Sequence, residues 1–317
     1  MAVVGVGRLG RHHARILAAL GDVKLVAVVD VDAERAREVG SLHGALALSD
    51  TRELLGKVDA VTVAVPTALH LEVGSVFLAA GIPTFVEKPL AATVAQGEEL
   101  VRLALEHRVV LQVGHSERFN PALKAARGLI TRPGFIEAHR LAPFDERGTD
   151  VDVVLDLMIH DIDLVLNLTG EEPASIHAVG VPVISGEVDI ANVRLEFPSG
   201  AVANLTASRV SREKIRKIRC FEPDTYVSID TALRRVDALK LERVAGERPR
   251  LKASQISVED SEPLVDELKA FRDAARGLLP PPVSGDEGLA ALRVAERIRE
   301  AIADHARRRS SGAQKLA

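Results

Sequence analysis

The sequence predicts an α/β domain followed by an α+β domain: an N-terminal Rossmann fold over residues 1–118, and a C-terminal fold over 119–317 built on a large open antiparallel sheet. Short β-branched runs alternate with helical patterns from Ala2 to about Gly114, as in βαβ units. Apolar and polar residues alternate from Ala174 to Asp230, with a turn at 198–200, which is typical of antiparallel hairpins. A length of 317 residues also favours two cores over one.

Composition narrows the possible classes of function. Hydrophobic residues make up 47% of the chain and charged residues 27%, which is the profile of a soluble globular protein. The net charge of -4 argues against nucleic acid as a partner. The single cysteine, Cys220, cannot form an intrachain disulfide, and no apolar run approaches the ~20 residues that cross a bilayer. We therefore expect a cytoplasmic protein without a membrane or nucleic-acid partner.

Five strands with crossover helices are expected in the first domain, which makes a doubly wound parallel sheet. Each predicted strand is apolar enough to be buried on both faces. The predicted strands are 3–6, 25–29, 60–65, 84–86 and 109–113, and the predicted helices are 11–20, 33–39 and 94–106.

A glycine motif of the G-x-G-x-x-G form occupies the first strand-to-helix turn, at Gly5–Gly10. Gly5 permits a tight turn, Gly7 lets the backbone approach a pyrophosphate, and Gly10 permits close packing of the helix on the strand. Arg8 and Leu9 open the helix, whose free N–H groups would face the anion. The motif predicts dinucleotide binding by Gly5, Gly7, Arg8, Leu9 and Gly10, although glycines also fill ordinary turns.

Asp30 ends the second predicted strand, at the distance where a carboxylate accepts hydrogen bonds from the adenosine ribose. Because Asp30 would repel a 2′-phosphate, NAD is favoured over NADP. The alternative is a plain N-cap for the helix that starts at Ala33, a role that Asp32 fits better.

Pro66, Thr67 and His70 follow the third predicted strand at the edge where a cofactor is expected. Pro66 stops the strand, so nearby groups could pass along the cofactor. A βα loop with a capping threonine explains the same residues, and both interpretations stay open.

Glu87-Lys88-Pro89 follows the fourth predicted strand. Together with the glycine motif, His13, Pro66 with His70, and the later Asp156 and His160, it resembles the glucose-fructose oxidoreductase, inositol dehydrogenase and MocA family over most of the chain. The resemblance implies that Lys88 contacts both cofactor and substrate hydroxyl, with Glu87 beside the cofactor. A solvated lysine is the alternative.

The segment from Gln112 to Pro121 resembles the crossover of that family into its second domain. Arg118 and Asn120 are predicted to contact substrate. A linker that joins two domains requires similar polar groups, so this alternative stays open.

A second-domain helix is predicted from Asp156 to Leu168, ended by Gly170. Asp156, His160 and Asp163 lie at i, i+4 and i+7 on one face of an otherwise apolar helix. A polar row on a buried helix requires a ligand or partner groups, whereas an amphipathic helix facing water has the same spacing.

The family resemblance implies that Asp156 and His160 are catalytic and that Asp163 contacts the substrate. His160 would remove the hydroxyl proton during hydride transfer, Lys88 would stabilise the oxygen, and Asp156 would orient the imidazole. No Cys or His cluster has metal-ligand spacing. His43, His139 and His177 are expected on the surface or in the core.

The substrate is expected to be a sugar oxidised at a secondary hydroxyl. The chain resembles a branch that includes UDP-N-acetylglucosamine 3-dehydrogenases, which implies oxidation of a nucleotide-activated amino sugar at its 3-hydroxyl. A basic cluster over 209–219 could meet the diphosphate, although a solvated sheet face explains the same residues and is favoured for most of them. A dehydrogenase of a free polyol such as myo-inositol, and a non-catalytic NAD or sugar sensor, remain alternatives.

Two helices are predicted after the sheet, at 263–279 and 289–302, and both are interpreted as structural parts of the second domain. In the family that the chain resembles, the open sheet packs on another subunit. The resemblance therefore implies a homodimer or homotetramer.

Overall fold

The computed structural model describes residues 1–144, 151–243 and 248–313, with side chains described as far as Arg309. The chain divides into two compact units. The first contains Met1–Ser116 and Pro263–Leu292, and the second contains Glu117–Glu262 and the chain from Arg293 onward. None of the described helices is long and apolar enough to cross a bilayer.

The first unit is built on a six-stranded parallel sheet with the order β3-β2-β1-β4-β5-β6. This order confirms the predicted Rossmann fold, in which the strand order reverses beside β1. Its strands are β1 (Ala2–Val4), β2 (Ala27–Val29), β3 (Leu46–Leu48), β4 (Val61–Val63), β5 (Thr84–Glu87) and β6 (Leu111–Gly114).

Crossover helices connect these strands, and local signals fix where they begin and end. Asp32 accepts hydrogen bonds from the amides of Glu34 and Arg35, so it caps α2 as the sequence indicates. Gly44 ends α2 in the left-handed region, with φ of 66°. The helices are α1 (Arg8–Ala19), α2 (Ala33–His43), α3 (His70–Ala79) and α4 (Val94–Glu106).

Strand β3 is absent from the five predicted strands. Leu46–Leu48 forms a three-residue edge strand paired in parallel with β2, and its residues are exposed or half-buried. Because an exposed edge strand lacks the buried apolar run that identifies inner strands, the pattern gave no sign of it.

Helix α7 (Pro263–Ala275) joins the core of the first unit, whereas the predicted boundary at 118 assigned it to the second domain. Leu268 and Phe271 are fully buried with β1 and α1 residues, and the Phe271 ring lies 5.6 Å from that of Phe85. The beginning of α8 (Gly285–Ala313) also packs there, since Gly288 lies directly against Val113. The chain thus returns to its first unit after completing the second sheet.

The second unit is built on an eight-stranded sheet with the order β14-β13-β12-β11-β7-β10-β9-β8. All neighbouring pairs are antiparallel except β7 and β10, which run parallel, so the predicted antiparallel sheet is confirmed with one parallel pair at its centre. The strands are β7 (Phe135–Leu141), β8 (Ser175–Val181), β9 (Ile190–Glu196), β10 (Val202–Ser208), β11 (Ile215–Glu222), β12 (Thr225–Asp230), β13 (Arg235–Glu242) and β14 (Arg250–Ile256).

One face of this sheet is apolar. Ile136, Val193 and Leu205 point into the core and are fully buried, and helix α6 (Ile159–Thr169) packs over β7 and β10. The alternate residues of the same strands are half-buried or exposed. A sheet with one covered face and one open face explains the period-two pattern of the sequence.

Candidate functional site

The glycine turn of the first unit has the geometry of a dinucleotide cradle. Gly5 has φ of +81°, and a Cβ there would lie 2.7 Å from the carbonyl oxygen of Ala64. A Cβ on Gly10 would lie 1.7 Å from the carbonyl oxygen of Gly5. A Cβ on Gly7 would meet nothing within 4 Å, so the space beside that backbone is open. Two glycines therefore serve packing, and Gly7 leaves room for a phosphate group.

The first turn of α1 carries Arg8 and Leu9, both exposed, immediately after this open space. The N-cap of α1 is Gly7, which has no side chain, so no N-cap side chain accepts a hydrogen bond from the first amides of the helix. Amides at such a helix start, together with the helix dipole, favour an anion. The residues present therefore fit the diphosphate of NAD.

Asp30 lies where the ribose-binding carboxylate was predicted, and it is only 6% exposed. Its Oδ2 accepts the amide N–H of Val6 at 2.9 Å, and its Oδ1 accepts that of Asp32 at 2.9 Å. Arg35 Nη1 lies 3.3 Å from Oδ1. The carboxylate thus fixes the glycine turn, and since Asp32 is the cap of α2, the alternative role of Asp30 as that cap is wrong.

The turn after β4 lacks the capping threonine of one interpretation of the sequence. Pro66 precedes a short 3₁₀ turn at Thr67–Leu69, and no side chain caps either that turn or α3. His70 is 1% exposed, with Nδ1 2.9 Å from the Pro89 carbonyl oxygen and Nε2 3.0 Å from that of Val65. Both ring nitrogens therefore face backbone carbonyl oxygens, and a neutral imidazole donates its one N–H to one of the two. Burial lowers the pKa of this imidazole.

Glu87 and Lys88 end β5 at the same edge of the sheet. Glu87 is 7% exposed, and its Oε1 lies 3.0 Å from His13 Nε2 on α1. Its Oε2 accepts the backbone N–H of Lys88 at 3.2 Å. Lys88 is half-buried and precedes Pro89 through a cis peptide bond.

The predicted catalytic helix of the second unit does not begin as an α-helix. A π-helical turn spans Val154–Met158, and α6 follows it, so the prediction of one continuous α-helix from Asp156 is wrong in its first turn. The carboxylate of Asp152 begins the segment by accepting the amides of Val154 and Leu155. A π turn changes the angular spacing of side chains and is frequent at functional sites.

Asp156 lies in the π turn and His160 in the first turn of α6. Both are half-buried, while their neighbours Met158 and Ile159 are fully buried. These two polar side chains therefore lie on the less buried side of an apolar helix, as the spacing predicted.

Asp163 was predicted to contact substrate, together with Arg118. The structure pairs the two with each other: Arg118 Nε and Nη2 donate to the two carboxylate oxygens of Asp163 at 2.8 and 2.7 Å. Their side chains are 9% and 1% exposed. A buried bidentate pair occupies both groups, so the geometry supports a structural role for them rather than the predicted substrate contact.

Asn120 is committed to the backbone as well. Its Oδ1 accepts the amide of Ala122 and caps α5 (Pro121–Ala126), and its Nδ2 donates to the Thr231 carbonyl at 3.1 Å. At 6% exposure it fits the linker alternative, not the predicted substrate contact.

A second buried ion-pair group lies beneath α6 and was not found from the sequence. Arg140 on β7 donates to both carboxylate oxygens of Asp161 and to Glu117 Oε1. All three residues are at most 8% exposed. The signal was Asp161 itself, a charge on the apolar side of the predicted helix, which requires a partner if it is buried.

Three arginines of the basic cluster over 209–219 lie close to carboxylates of the second unit. Arg209 lies 3.8 Å from Asp189. Arg216 lies 3.3 Å from Glu117, and Arg219 lies 2.6 Å from Glu137. These pairs favour the solvated-face interpretation for Arg216 and Arg219 and a buried structural role for Arg209. Among the described residues, no group of three or more His, Cys, Asp or Glu side chains is arranged to hold a metal ion.

Substitutions at two glycines of this turn are expected to have different effects, one on stability and the other on cofactor binding. Gly10→Ala should lower the free energy of unfolding by about 3 kcal/mol or more, because its methyl group overlaps the Gly5 carbonyl. Gly7→Ala should keep that free energy and weaken NADH binding, because its methyl group fills the open space. Urea unfolding by circular dichroism and NADH fluorescence titration measure the two effects. Gly21→Ala, also in open space, is the control. Equal NADH affinity in Gly7→Ala would contradict the assignment.

The Arg118–Asp163 pair predicts a stability effect. Asp163→Asn should lower the free energy of unfolding by about 3–5 kcal/mol, because it leaves a buried guanidinium without its charge partner. Glu99→Gln, in an exposed pair with Arg102, should leave the urea midpoint unchanged and is the matched control. A variant of unchanged stability with a raised substrate KM would instead favour substrate contact by Asp163.

Comparison with known proteins places both halves of the chain. The family profile described as an oxidoreductase family with an NAD-binding Rossmann fold matches residues 1–115, and the profile of the GFO/IDH/MocA C-terminal domain matches 126–222. UDP-N-acetylglucosamine 3-dehydrogenase of Acidithiobacillus ferrooxidans is 43% identical over 229 residues, which is 72% of each chain. Myo-inositol dehydrogenase Hyg17 of Streptomyces leeuwenhoekii is 34% identical over 226 residues, 66% of this chain and 69% of that one.

The similarity extends to the whole fold. A solved structure of UDP-N-acetylglucosamine 3-dehydrogenase from Acidithiobacillus ferrooxidans has a TM-score of 0.89 at 36% identity, covering 95% of this chain and 96% of that chain. Fold, glycine turn and sequence identity thus agree. The chain belongs to the glucose-fructose oxidoreductase, inositol dehydrogenase and MocA family and is an NAD-binding oxidoreductase.

Proposed function

We propose that this protein oxidises the 3-hydroxyl of a nucleotide-activated amino sugar, UDP-N-acetylglucosamine, with NAD. The observation that carries the proposal is the 43% identity to a UDP-N-acetylglucosamine 3-dehydrogenase. Lys88, Asp156 and His160 are all half-buried, as groups that meet a ligand should be. The inositol dehydrogenase relative has lower identity, which makes a free polyol the second candidate.

NAD, when bound, supplies the hydride acceptor for the carbinol carbon. His160 takes the hydroxyl proton, since the ordinary imidazole pKa lies close to working pH. The ammonium of Lys88 donates a hydrogen bond to the same oxygen and stabilises the negative charge that develops as the proton leaves. Asp156, four residues before His160, holds the imidazole or a neighbouring sugar hydroxyl in orientation.

Cofactor contacts are assigned to the first unit. The open backbone at Gly7 is assigned to the diphosphate. Asp30, at the end of the second strand, is assigned to the adenosine ribose, and its negative charge disfavours the 2′-phosphate of NADP. Pro66, Thr67 and Glu87 line the turns at the carboxyl ends of β4 and β5, where ligands of this fold class bind. The first unit thus binds NAD, and the second unit binds substrate.

Turnover tests the proposal. With UDP-N-acetylglucosamine and NAD, absorbance of reduced cofactor should rise, and it should rise far less with NADP or with myo-inositol. His160→Ala and Lys88→Ala should each lower kcat by roughly 10²–10⁴-fold, because each removes a group that assists proton transfer or stabilises charge.

The control is His43→Ala, a change at the half-buried last residue of α2 that should leave kcat unchanged. Turnover of myo-inositol alone would favour the polyol alternative. NAD and sugar binding without any reduced cofactor would favour the sensor.

We also propose a cytoplasmic homodimer or homotetramer that associates through the open face of the second sheet. Phe135, Phe221 and Tyr226 stack in sequence on that face, with ring centroids 5.5 and 5.0 Å apart, and Phe221 is 37% exposed. Aromatic residues are enriched at protein interfaces. Sedimentation equilibrium should give the mass of two or four chains, and Phe221→Asp should shift it toward one chain. A monomeric wild-type mass would contradict the proposal.

A further inference from the structure

We infer that Glu87, held by His13, is a positioning residue for Lys88, and that His70 braces the same turn from its other side. This inference rests on the proposed function, because it concerns how the proposed catalytic ammonium is placed. None of the three side chains needs to touch substrate or the reacting atoms. They act through the backbone on either side of Lys88.

The carboxylate of Glu87 is held at both oxygens. Oε1 lies 3.0 Å from His13 Nε2, and Oε2 accepts the Lys88 amide at 3.2 Å. With 7% exposure, this carboxylate is screened little by water, so its contacts retain their strength. The Glu87 carboxylate is therefore a fixed hydrogen-bond acceptor for the backbone N–H of Lys88.

Burial of the His13 imidazole is unfavourable in free energy. His13 is fully buried on α1 and packs edge-on against Phe85, with centroids 5.4 Å apart. Its Nδ1 is buried and makes no hydrogen bond within the described part of the chain. A buried polar atom without a partner is unfavourable by about 1–3 kcal/mol, so an apolar ring would suit packing better. The contact with Glu87 is what the imidazole provides.

The neighbouring strand makes room for the carboxylate. Gly114 on β6 pairs in register with Glu87, and a Cβ there would lie 2.9 Å from Glu87 Oε2 and 3.0 Å from Cδ. Its φ is not in the left-handed region, so backbone conformation does not demand glycine here. The missing side chain serves the placement of Glu87.

His70 acts on the next residue. Its Nδ1 lies 2.9 Å from the carbonyl oxygen of Pro89, and its Nε2 faces the carbonyl oxygen of Val65 at 3.0 Å. The amide of Lys88 thus contacts the buried side chain of the preceding Glu87, and the carbonyl of Pro89 contacts the buried imidazole of His70 on α3. A displacement of ~1 Å in such a group can cost ~10²-fold in rate.

The test compares Glu87→Ala with Glu87→Gln. Glu87→Ala should lower kcat by roughly 10²-fold with a much smaller change in the Kd for NADH, because the turn loses its acceptor. Glu87→Gln should recover most of kcat, since its amide oxygen can accept the Lys88 N–H. In the protein without cofactor, hydrogen exchange at the Lys88 amide should be slow in wild type and Glu87→Gln and faster in Glu87→Ala.

His13→Phe is the second variant, and it guards against misfolding of Glu87→Ala, since phenylalanine fills the site beside Phe85. It should also lower kcat and speed Lys88 exchange. Glu72→Ala, an exposed glutamate on α3, is the matched control and should change neither readout. Wild-type kcat and slow Lys88 exchange in both Glu87→Ala and His13→Phe would overturn the inference.

Lys88→Ala separates this inference from the proposed function. Full turnover in Lys88→Ala would remove Lys88 from the chemistry, and the proposed function would fail at that residue. Loss of turnover in Lys88→Ala with unchanged Glu87→Ala and His13→Phe would leave the proposed function intact and overturn the positioning role alone.

Discussion

The first unit depends on the close packing of the start of α1 on the turn before it. A Cβ at Gly10 would lie 1.7 Å from the Gly5 carbonyl oxygen, so only glycine fits at this third residue of α1. Close to this contact, the Val6 amide lies 2.9 Å from Asp30, and His13, one turn further along α1, lies 3.0 Å from Glu87. The cofactor turn and the Lys88 turn thus share one framework.

Buried charge organises the second unit in a comparable way. Two arginines, Arg118 and Arg140, bind Asp163 and Asp161 with two hydrogen bonds each, on either side of the helix that carries His160. Each pair is costly to bury and costly to break, so it specifies one position of α6 against the sheet. A helix held by two buried ion pairs keeps its position, so the half-buried side chains of Asp156 and His160 keep theirs as well.

Part of the candidate site was predictable because its residues sit in local patterns, since the glycine turn and Asp30 each follow a strand signal. Lys88, Asp156 and His160 were assigned from the family resemblance, and their roles stay predictions. Arg118, Asn120, Asp163 and His70 were assigned to ligands because their polarity was visible in the sequence. The structure shows their partners inside the protein, and polarity alone does not tell a ligand contact from a buried hydrogen bond.

The sequence by itself determined the two folds, the order of most strands and helices, and the positions that can hold NAD, because hydrophobic period and turn chemistry are local properties. Tertiary structure decided that α7 packs in the first unit, that β3 adds an edge strand, that a π turn precedes α6, and that Arg118 binds Asp163. These features depend on contacts between residues far apart in the chain, and such contacts are set by which buried groups find a partner of matching shape and charge.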